Sequence, residues 1–255
     1  MEDSAKTPVN WNQWLVVIPA RLASTRLPNK PLQDLCGKPL IVRVFERISP
    51  LVKQGATVLV ATDEPSVQTA CEDHGVPVAM TSKTHPSGTD RVFEVSNRHD
   101  TKFVLNVQGD EPFVNLSTLE SLARRMVASK NSEMGTVVYR NTNPKDFVDP
   151  NIVKTIISQE NAQYFSRSPI PYHRDQEFSF FWQHIGIYAF TKKALKEFCN
   201  HPPHPWELLE KLEQLRALGN GIGILTVETH EVTIGIDTPQ DLEDACDHYK
   251  KSLNI

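Results

Sequence analysis

The chain has 255 residues, of which 39% are hydrophobic and 23% are charged, and its formal net charge is −4 at pH 7. This composition is typical of a globular protein, and the length allows one large α/β domain or two smaller ones. The acidic balance argues against a nucleic-acid-binding protein, which usually carries a basic excess. No apolar run reaches the roughly 18 residues of a membrane span, and the first fourteen residues lack the apolar core of a secretory signal. We therefore expect a cytoplasmic protein.

The cysteines indicate reduced thiols rather than a metal or redox motif. No C-x-x-C pair occurs among the four of them, which are Cys36, Cys71, Cys199 and Cys246. The spacing therefore predicts neither a zinc site nor a thioredoxin-type site, and the thiols are expected to fill space as small apolar groups.

Short β-branched runs alternate with helical patterns in the first half of the chain. The predicted strands are Leu15–Ile18, Thr57–Ala61, Val76–Met80 and Phe103–Val107. The predicted helices are Pro39–Ile48, Pro65–His74 and Leu116–Ala128, with Asp63 expected to cap the second of these. The repeated order of strand, helix and strand predicts an α/β fold with a mainly parallel, Rossmann-like sheet and helices on both faces.

Proline-rich connections in the second half of the chain predict a smaller β-rich arm. Its predicted strands are Thr136–Arg140, Ile152–Ser158 and His184–Phe190, followed by a helix over Glu207–Leu218, a strand over Ile222–Glu228 and a helix from Thr238 to Lys250. We expect an N-terminal extension over 1–14, anchored by Trp11 and Trp14, and one domain over 15–255. Within that domain, the nucleotide half is expected over about 15–130, the arm over about 131–218, and the closing strand and helix over 219–255.

Three cations follow the first predicted strand. Arg21, Arg26 and Lys30 lie in a stretch that has no acidic residue between Asp3 and Asp34. The small residues among them, Ala20, Ala23, Ser24 and Thr25, would let phosphate oxygens approach the backbone N–H groups. A solvated basic loop is the alternative. Loops at the carboxyl ends of parallel strands are where open α/β sheets bind ligands, so we expect a nucleoside triphosphate here.

Two carboxylates follow predicted strands and are candidate Mg²⁺ ligands. Asp110 and Glu111 come after Gly109 at the end of the fourth strand, and a carboxylate there can hold Mg²⁺ against phosphate oxygens. The alternative for these acids is an exposed turn. The second candidate is Asp237 in Asp-Thr-Pro, a sequence that is equally typical of a helix N-cap.

A turn of small residues follows the third predicted strand. Ser87, Gly88 and Thr89 could contact a base or ribose, and Arg91 adds a cation nearby. The same residues are also typical of a capped helix start, and both roles can hold together.

Eight short motifs occur in order between about residues 15 and 250. They are Pro-Ala-Arg…Ser-Thr-Arg-Leu-Pro-x-Lys-Pro-Leu (19–32), Ala-Thr-Asp (61–63), Ser-Gly-Thr-Asp-Arg (87–91), Asn-Val-Gln-Gly-Asp-Glu-Pro (106–112), Tyr-Phe-Ser-Arg (164–167), His-Ile-Gly-Ile-Tyr (184–188), Leu-Glu-Gln-Leu-Arg (212–216) and Asp-Thr-Pro (237–239). Together they resemble the 3-deoxy-manno-octulosonate (Kdo) cytidylyltransferases, also called CMP-Kdo synthetases.

The resemblance implies a Mg²⁺-dependent, homodimeric, cytoplasmic enzyme of lipopolysaccharide synthesis, with a sheet of the nucleotide-diphospho-sugar transferase type. Such an enzyme joins CTP to an eight-carbon 2-keto sugar acid and releases pyrophosphate. By position, the implied catalytic residues are Arg21, Lys30 and Asp110, and the implied metal ligands are Asp110 and Asp237. The implied CTP-binding residues are Ala20, Arg21, Arg26, Lys30, Ser87, Gly88, Thr89 and Arg91. The implied sugar-binding residues are Gln108, Arg167, His184, Tyr188, Glu213 and Gln214, of which Arg167 would pair with the sugar carboxylate.

Several positions depart from the family pattern. Asn29 stands where the family usually has glycine, but asparagine tolerates the left-handed conformation. Trp206 and Leu208 are also unusual, and they leave open whether the sugar is Kdo or its 8-amino analogue. The alternative functions are a neuraminate-type cytidylyltransferase, a GT-A-like glycosyltransferase and a non-catalytic nucleotide-binding protein.

Overall fold

The computed structural model describes residues 8–22, 26–129, 132–174, 177–231 and 235–252. The helices in these ranges are α1 (Leu40–Ile48), α2 (Pro50–Lys53), α3 (Pro65–Asp73), α4 (Gly88–Ser96), α5 (Leu116–Ala128), α6 (Pro144–Val148), α7 (Lys192–Asn200), α8 (Pro205–Glu210), α9 (Gln214–Gly219) and α10 (Pro239–Ser252). The strands are β1 (Trp14–Ala20), β2 (Thr57–Thr62), β3 (Val78–Met80), β4 (Phe103–Asn106), β5 (Met134–Asn141), β6 (Lys154–Ser158), β7 (Asn161–Ser166), β8 (Phe181–Thr191) and β9 (Ile224–Thr229). Within the described ranges, no helix has the length and apolar character needed to cross a membrane.

The chain divides into two compact units. Among the described residues, the parallel-sheet unit comprises those of 10–116 and 235–252, and the mixed-sheet unit comprises those of 117–231 with 8–9. Strand β9 and helix α5 from residue 117 onward belong to the mixed-sheet unit, and the domain boundaries expected from the sequence stay a prediction. There β9 pairs with β5, and a Cβ atom at Gly135 of β5 would lie 2.9 Å from the Leu122 side chain of α5.

The parallel-sheet unit confirms the prediction for the first half of the chain. Its strands are all parallel and lie in the order β3-β2-β1-β4. Every residue of β1 is buried, as expected for a central strand covered on both faces. The chain moves from β1 to β3 in one direction and returns for β4. Right-handed crossovers therefore place α4 on the face opposite α1 and α3.

The start of this unit is anchored by aromatic side chains. Trp11 and Trp14 are buried, and the Trp14 ring stacks on Phe103 of β4 with ring centroids 4.7 Å apart. Trp14 is the first residue of β1, so the predicted anchoring residue belongs to the sheet itself.

The mixed-sheet unit has strands in the order β8-β5-β9-β7-β6, and β6 also pairs with β8. Strand β5 runs antiparallel to β8 and parallel to β9. Strand β7 was not predicted, because its sequence Asn-Ala-Gln-Tyr-Phe-Ser has no long apolar run. It is held by antiparallel pairing with β6.

Two local predictions were wrong. The single helix expected over Glu207–Leu218 is broken into α8 and α9, because Lys211 adopts the left-handed conformation with φ 56°. Asp63 does not cap α3, which has Glu64 at its N-cap and no side-chain cap. The Asp63 carboxylate instead pairs with the Arg91 guanidinium at 2.7 Å.

Candidate functional site

A cleft of about 250 Å³ lies in the parallel-sheet unit at the carboxyl ends of β1 and β4. Its lining contains six of the predicted site residues, Ala20, Arg21, Lys30, Gly88, Gln108 and Asp110, together with Pro19, Pro31 and Gly109. The edge of the sheet where a ligand was expected therefore carries a cleft.

Local backbone geometry positions the charged groups. Asn29 adopts the left-handed conformation, with φ 53° and ψ 33°, directly before the 3₁₀ turn Lys30–Leu32. The expectation that asparagine could replace glycine here is confirmed. Gly109 precedes Asp110, and a Cβ atom at Gly109 would lie 2.9 Å from the Pro19 carbonyl oxygen. Glycine is thus needed for a close approach of β1 to the turn after β4.

Lys30 joins the two candidate metal ligands. Its Nζ atom donates to Asp110 Oδ2 at 2.6 Å and to Asp237 Oδ1 at 2.8 Å. Arg26 Nη2 donates to the other oxygen of Asp237 at 2.9 Å. Burial alone would lower the pKa of Lys30, but Asp110 and then Asp237 outweigh it and raise that pKa. Burial alone would raise the pKa of Asp237, and Lys30 and Arg26 together lower it. Lys30 and Asp237 are therefore both charged at neutral pH.

The helix cap expected at Asp237 is formed by its neighbours. The Thr238 hydroxyl accepts from the Asp241 N–H at 3.2 Å, and Asp241 Oδ2 accepts from the N–H groups of Thr238 and Asp237 at 2.7 Å and 2.9 Å. This reciprocal arrangement is a capping box. It leaves the Asp237 carboxylate to Lys30 and Arg26, so the cap interpretation of that side chain is wrong.

Arg21 lines the cleft and has two buried donor atoms that no group in the described ranges accepts from. Its Nη1 atom donates to the Pro86 carbonyl at 3.1 Å. Its Nε and Nη2 atoms are buried, and no group in the described ranges accepts a hydrogen bond from either. Buried polar groups are normally satisfied, so these donors mark a place for an acceptor such as a phosphate oxygen.

The turn before α4 serves as a helix start. Ser87 is the N-cap of α4, and its hydroxyl accepts from the Asp90 N–H at 3.1 Å. Thr89 is buried, and its hydroxyl accepts from Asn106 Nδ2 at 3.3 Å. Arg91 is only 1% exposed and is held by Asp63. Burial lowers the pKa of Arg91, although Asp63 opposes the shift. These contacts of Ser87, Thr89 and Arg91 hold the turn in place, and Gly88 lines the cleft.

The donor set suits Mg²⁺ better than a transition metal. Among the described residues, no cluster of three or more His, Cys, Asp or Glu side chains could hold a metal ion. Two carboxylates with one cation already between them match an ion that takes one or two carboxylates and completes its shell with phosphate and water.

A second group of predicted residues meets in the mixed-sheet unit. The ring centroids of His184 and Tyr188 are 5.4 Å apart, and the Tyr188 hydroxyl donates to Gln214 Oε1 at 3.2 Å. Gln214 Nε2 is buried and has no acceptor within the described residues. Glu213, the N-cap of α9, is adjacent to Gln214 and contributes to raising the pKa of Tyr188 after burial, the larger cause.

A β-bulge brings the two rings together. Four residues along a regular strand span about 13 Å, but the register shifts so that Thr136 pairs with Tyr188 while Val137 pairs with Ile185. The Thr136 hydroxyl lies 2.8 Å from the Ile187 carbonyl oxygen, to which it donates, and 3.0 Å from His184 Nε2. The sequence did not reveal the role of Thr136. The one local signal was Gly186 between His184 and Tyr188, because a glycine inside a strand often marks a bulge.

The His184 imidazole is neutral. Burial lowers its pKa to about 3. Because the Thr136 hydrogen is given to a carbonyl, the hydroxyl oxygen accepts from His184 Nε2–H. This bond assigns the tautomer and leaves Nδ1 as an acceptor.

Arg167 makes different contacts from those expected of a sugar-carboxylate ligand. Its guanidinium donates to the backbone carbonyls of Glu210 at 2.8 Å, Pro150 at 2.8 Å and Lys211 at 3.4 Å. The proposed pairing with a sugar carboxylate stays a prediction.

Comparisons with known proteins identify the family of this chain. The cytidylyltransferase family profile matches residues 15–228. A 3-deoxy-manno-octulosonate cytidylyltransferase of Geobacter sulfurreducens is 41% identical over 92% of this chain and 98% of its own length. One of Gemmatimonas aurantiaca is 45% identical over 92% and 93%. The solved structure of a CMP:2-keto-3-deoxy-manno-octonic acid synthetase complexed with CTP is 38% identical, with a TM-score of 0.88 over 94% of this chain and 99% of that one. The chain is a cytidylyltransferase and belongs to the 3-deoxy-manno-octulosonate cytidylyltransferase family.

Proposed function

We propose that this chain transfers CMP from CTP to the anomeric hydroxyl of 3-deoxy-manno-octulosonate, giving CMP-Kdo and pyrophosphate for lipopolysaccharide synthesis. The observation that carries the proposal is the contact of one Lys30 Nζ atom with both Asp110 and Asp237, beside the buried Arg21 donors. The names of the relatives supply the sugar acid.

The reaction is a displacement at the α-phosphorus of CTP. The C2 hydroxyl oxygen of the sugar forms the new P–O bond, the bond to the β-phosphate breaks, and the hydroxyl proton is released. Catalysis of such a step depends on positioning and on neutralising charge. Lys30 and Arg21 would offset the charge that develops on the departing pyrophosphate, and Arg26 would hold the triphosphate at the exposed side of the cleft.

Asp110 and Asp237 are the proposed Mg²⁺ ligands. When bound, Mg²⁺ would neutralise phosphate charge and lower the pKa of the attacking hydroxyl. Lys30 contacts both carboxylates and so holds them close together before the nucleotide binds. No side chain is proposed as a general base.

The proposed binding site for the sugar acceptor offers hydrogen-bond donors and acceptors to the sugar hydroxyl groups. Gln214 Nε2 offers a buried donor, His184 Nδ1 offers an acceptor and the Glu213 carboxylate offers a further acceptor. Such a set matches the hydroxyl groups of a sugar better than a purely apolar pocket would. Gln108, which lines the cleft of the parallel-sheet unit, is retained as a proposed sugar ligand.

We also propose that two copies form a homodimer and that the reaction takes place in the cytoplasm, as the resemblance implies. Exposed apolar side chains at Leu208 and Leu209 in the mixed-sheet unit support self-association. Sedimentation velocity tests this: a dimer is expected for the unmodified chain, and a monomer at micromolar concentration would refute it.

Pyrophosphate release tests the proposed function. CTP, UTP, ATP and GTP are each supplied with Kdo, 8-amino-Kdo or neuraminate, with and without Mg²⁺. Release is expected only with CTP, Mg²⁺ and Kdo or its 8-amino analogue. Pyrophosphate release with neuraminate but not with Kdo or 8-amino-Kdo would overturn the proposal. CTP binding without pyrophosphate release on any of the three sugar acids would also overturn it.

A further inference from the structure

We propose that Glu210 is a positioning residue for the acceptor side of the reaction. Together with Arg167, it holds Lys211 in the left-handed conformation, and this turn directs α9 so that Gln214 meets Tyr188. The inference rests on the proposed function, because it assigns a purpose to the Gln214–Tyr188 pair.

The break between α8 and α9 is imposed by contacts outside the two helices. The sequence over 207–218 favours one continuous helix, yet Lys211 has φ 56° and an exposed side chain. The Glu210 carboxylate accepts from the Ser166 hydroxyl at 2.6 Å and from the Arg167 backbone N–H at 2.9 Å. Both donors belong to the end of β7 and the residue after it, so Glu210 ties the end of α8 to the sheet.

Arg167 also ties the end of α8 to the sheet, in this case as a hydrogen-bond donor. Its Nε and Nη2 atoms donate to the carbonyls of Glu210 and Lys211, which lie at the C-terminal end of α8, where carbonyls lack intrahelical partners. Fully buried Lys154 in turn donates from Nζ to the Arg167 carbonyl at 3.0 Å. The Arg167 guanidinium therefore donates to carbonyl groups that have no helical partner because the helix ends at the left-handed Lys211.

The angle between α8 and α9 is fixed by a second contact. Arg216 of α9 donates from Nε and Nη2 to the Glu207 carboxylate of α8 at 2.9 Å and 2.6 Å, and both side chains are largely buried. With the turn and this pair in place, α9 begins at Gln214, whose Oε1 accepts from the Tyr188 hydroxyl. A continuous helix would carry Gln214 onto a different axis and break that bond.

The test separates the turn from the side chains that hold it. Glu210→Ala should raise the KM for Kdo about tenfold, the value expected when a charged hydrogen-bond anchor is lost, and should leave the KM for CTP unchanged. Lys211→Gly should behave as the unmodified chain, because glycine adopts the left-handed conformation without a steric cost. Lys211→Val should raise the KM for Kdo, because a β-branched residue resists that conformation. Adding Lys211→Gly to Glu210→Ala should restore part of the loss.

Glu228→Ala is the matched control, since Glu228 is an exposed glutamate of the same unit. Unchanged Kdo KM in both Glu210→Ala and Lys211→Val, with an active unmodified chain, would overturn this inference alone. An equal rise in the KM for CTP and the KM for Kdo would also overturn the inference, because such a rise would indicate general destabilisation. If Glu210→Ala does not fold, the contrast of Gly and Val at Lys211 decides the matter. An unmodified chain that releases no pyrophosphate with Kdo would refute the proposed function and this inference with it.

Discussion

Lys30 is the residue on which the charge arrangement of the cleft depends. One ammonium group contacts two carboxylates from distant parts of the chain, and its own pKa is raised by them despite burial. It therefore remains charged at neutral pH and is available to exchange a carboxylate for a phosphate oxygen when a nucleotide arrives.

Replacing Lys30 by methionine should reduce kcat/KM by about two orders of magnitude or more, the loss typical of removing one group that stabilises transition-state charge. The pKa of Asp237 should also rise, because Lys30 is its main stabilising partner. Steady-state pyrophosphate release measures the first effect. Lys53→Met, at an exposed lysine of the same unit, is the control and should be fully active. Full activity of Lys30→Met would exclude the proposed role.

His184 should make the protein less stable as the pH falls. Its pKa in the folded chain is lowered to about 3, whereas the unfolded imidazole titrates near 6.5. Between these values the unfolded chain binds a proton that the folded chain does not. The free energy of unfolding is therefore at its full value above pH 6.5 and falls by up to about 1.4 kcal/mol per pH unit as the pH decreases.

Urea unfolding at pH 7 and pH 5 measures this contribution. His184→Gln should lose less stability than the unmodified chain across that interval, because it has no group to titrate. Identical losses in the two proteins would show that His184 is not held neutral by the fold.

At the scale of elements, Gly109 sets the distance between β1 and the turn that carries Asp110. A Cβ atom there would lie 2.9 Å from the Pro19 carbonyl oxygen, so Gly109→Ala must displace backbone on one side. We expect kcat to fall at least about tenfold, because even small displacements of catalytic groups are costly.

Gly75 provides a contrast, because it lies after α3 with φ 67° and open space around its Cα. Gly75→Ala should lower stability by about 1 kcal/mol through the left-handed conformation and leave kcat unchanged. Thermal unfolding and initial rates of both variants separate the effects, and equal kcat values for the two would contradict this account of Gly109.

The elements show where sequence reasoning succeeded and where it could not. Strand β1 and helix α5 were predicted because apolar periodicity is local information, and α5 has the predicted bounds, Leu116–Ala128. The break at Lys211 was missed because its causes, Ser166 and Arg167, lie more than forty residues away in sequence. The bulge between His184 and Tyr188 likewise depends on its pairing with β5, although Gly186 offered a hint.

The same distinction applies to the site. Motif order indicated Asp237, but the residues 237–239 alone could not decide between a cap and a metal ligand. The cap is formed by Asp241 with Thr238, and the Asp237 carboxylate is held by Lys30, more than two hundred residues away. The role of Asp237 as a metal ligand stays a prediction. Asp63 was misassigned for a similar reason, because its partner Arg91 belongs to a later helix.

Across the whole molecule, one chain brings its amino-terminal cations and two remote acids to a single cleft. Asp110 and Asp237 are both held by Lys30, and both belong to the parallel-sheet unit although residues 117–231 of the mixed-sheet unit separate them in sequence. Removing the divalent ion with a chelator should abolish turnover, and adding Mg²⁺ should restore it. Turnover that persists in excess chelator would contradict the assignment of the carboxylates.

Binding of Mn²⁺, a paramagnetic substitute for Mg²⁺, tests without relying on turnover whether Asp110 and Asp237 share one metal ion. Electron paramagnetic resonance measures free Mn²⁺ in titrations of the CTP-bound chain, of Asp110→Asn and of Asp237→Asn, with exposed Asp73→Asn as the control. We expect Asp110→Asn and Asp237→Asn each to weaken Mn²⁺ binding about tenfold or more, and Asp73→Asn to leave it unchanged. Unchanged Mn²⁺ affinity in either Asp110→Asn or Asp237→Asn would show that the two carboxylates do not share an ion with the triphosphate.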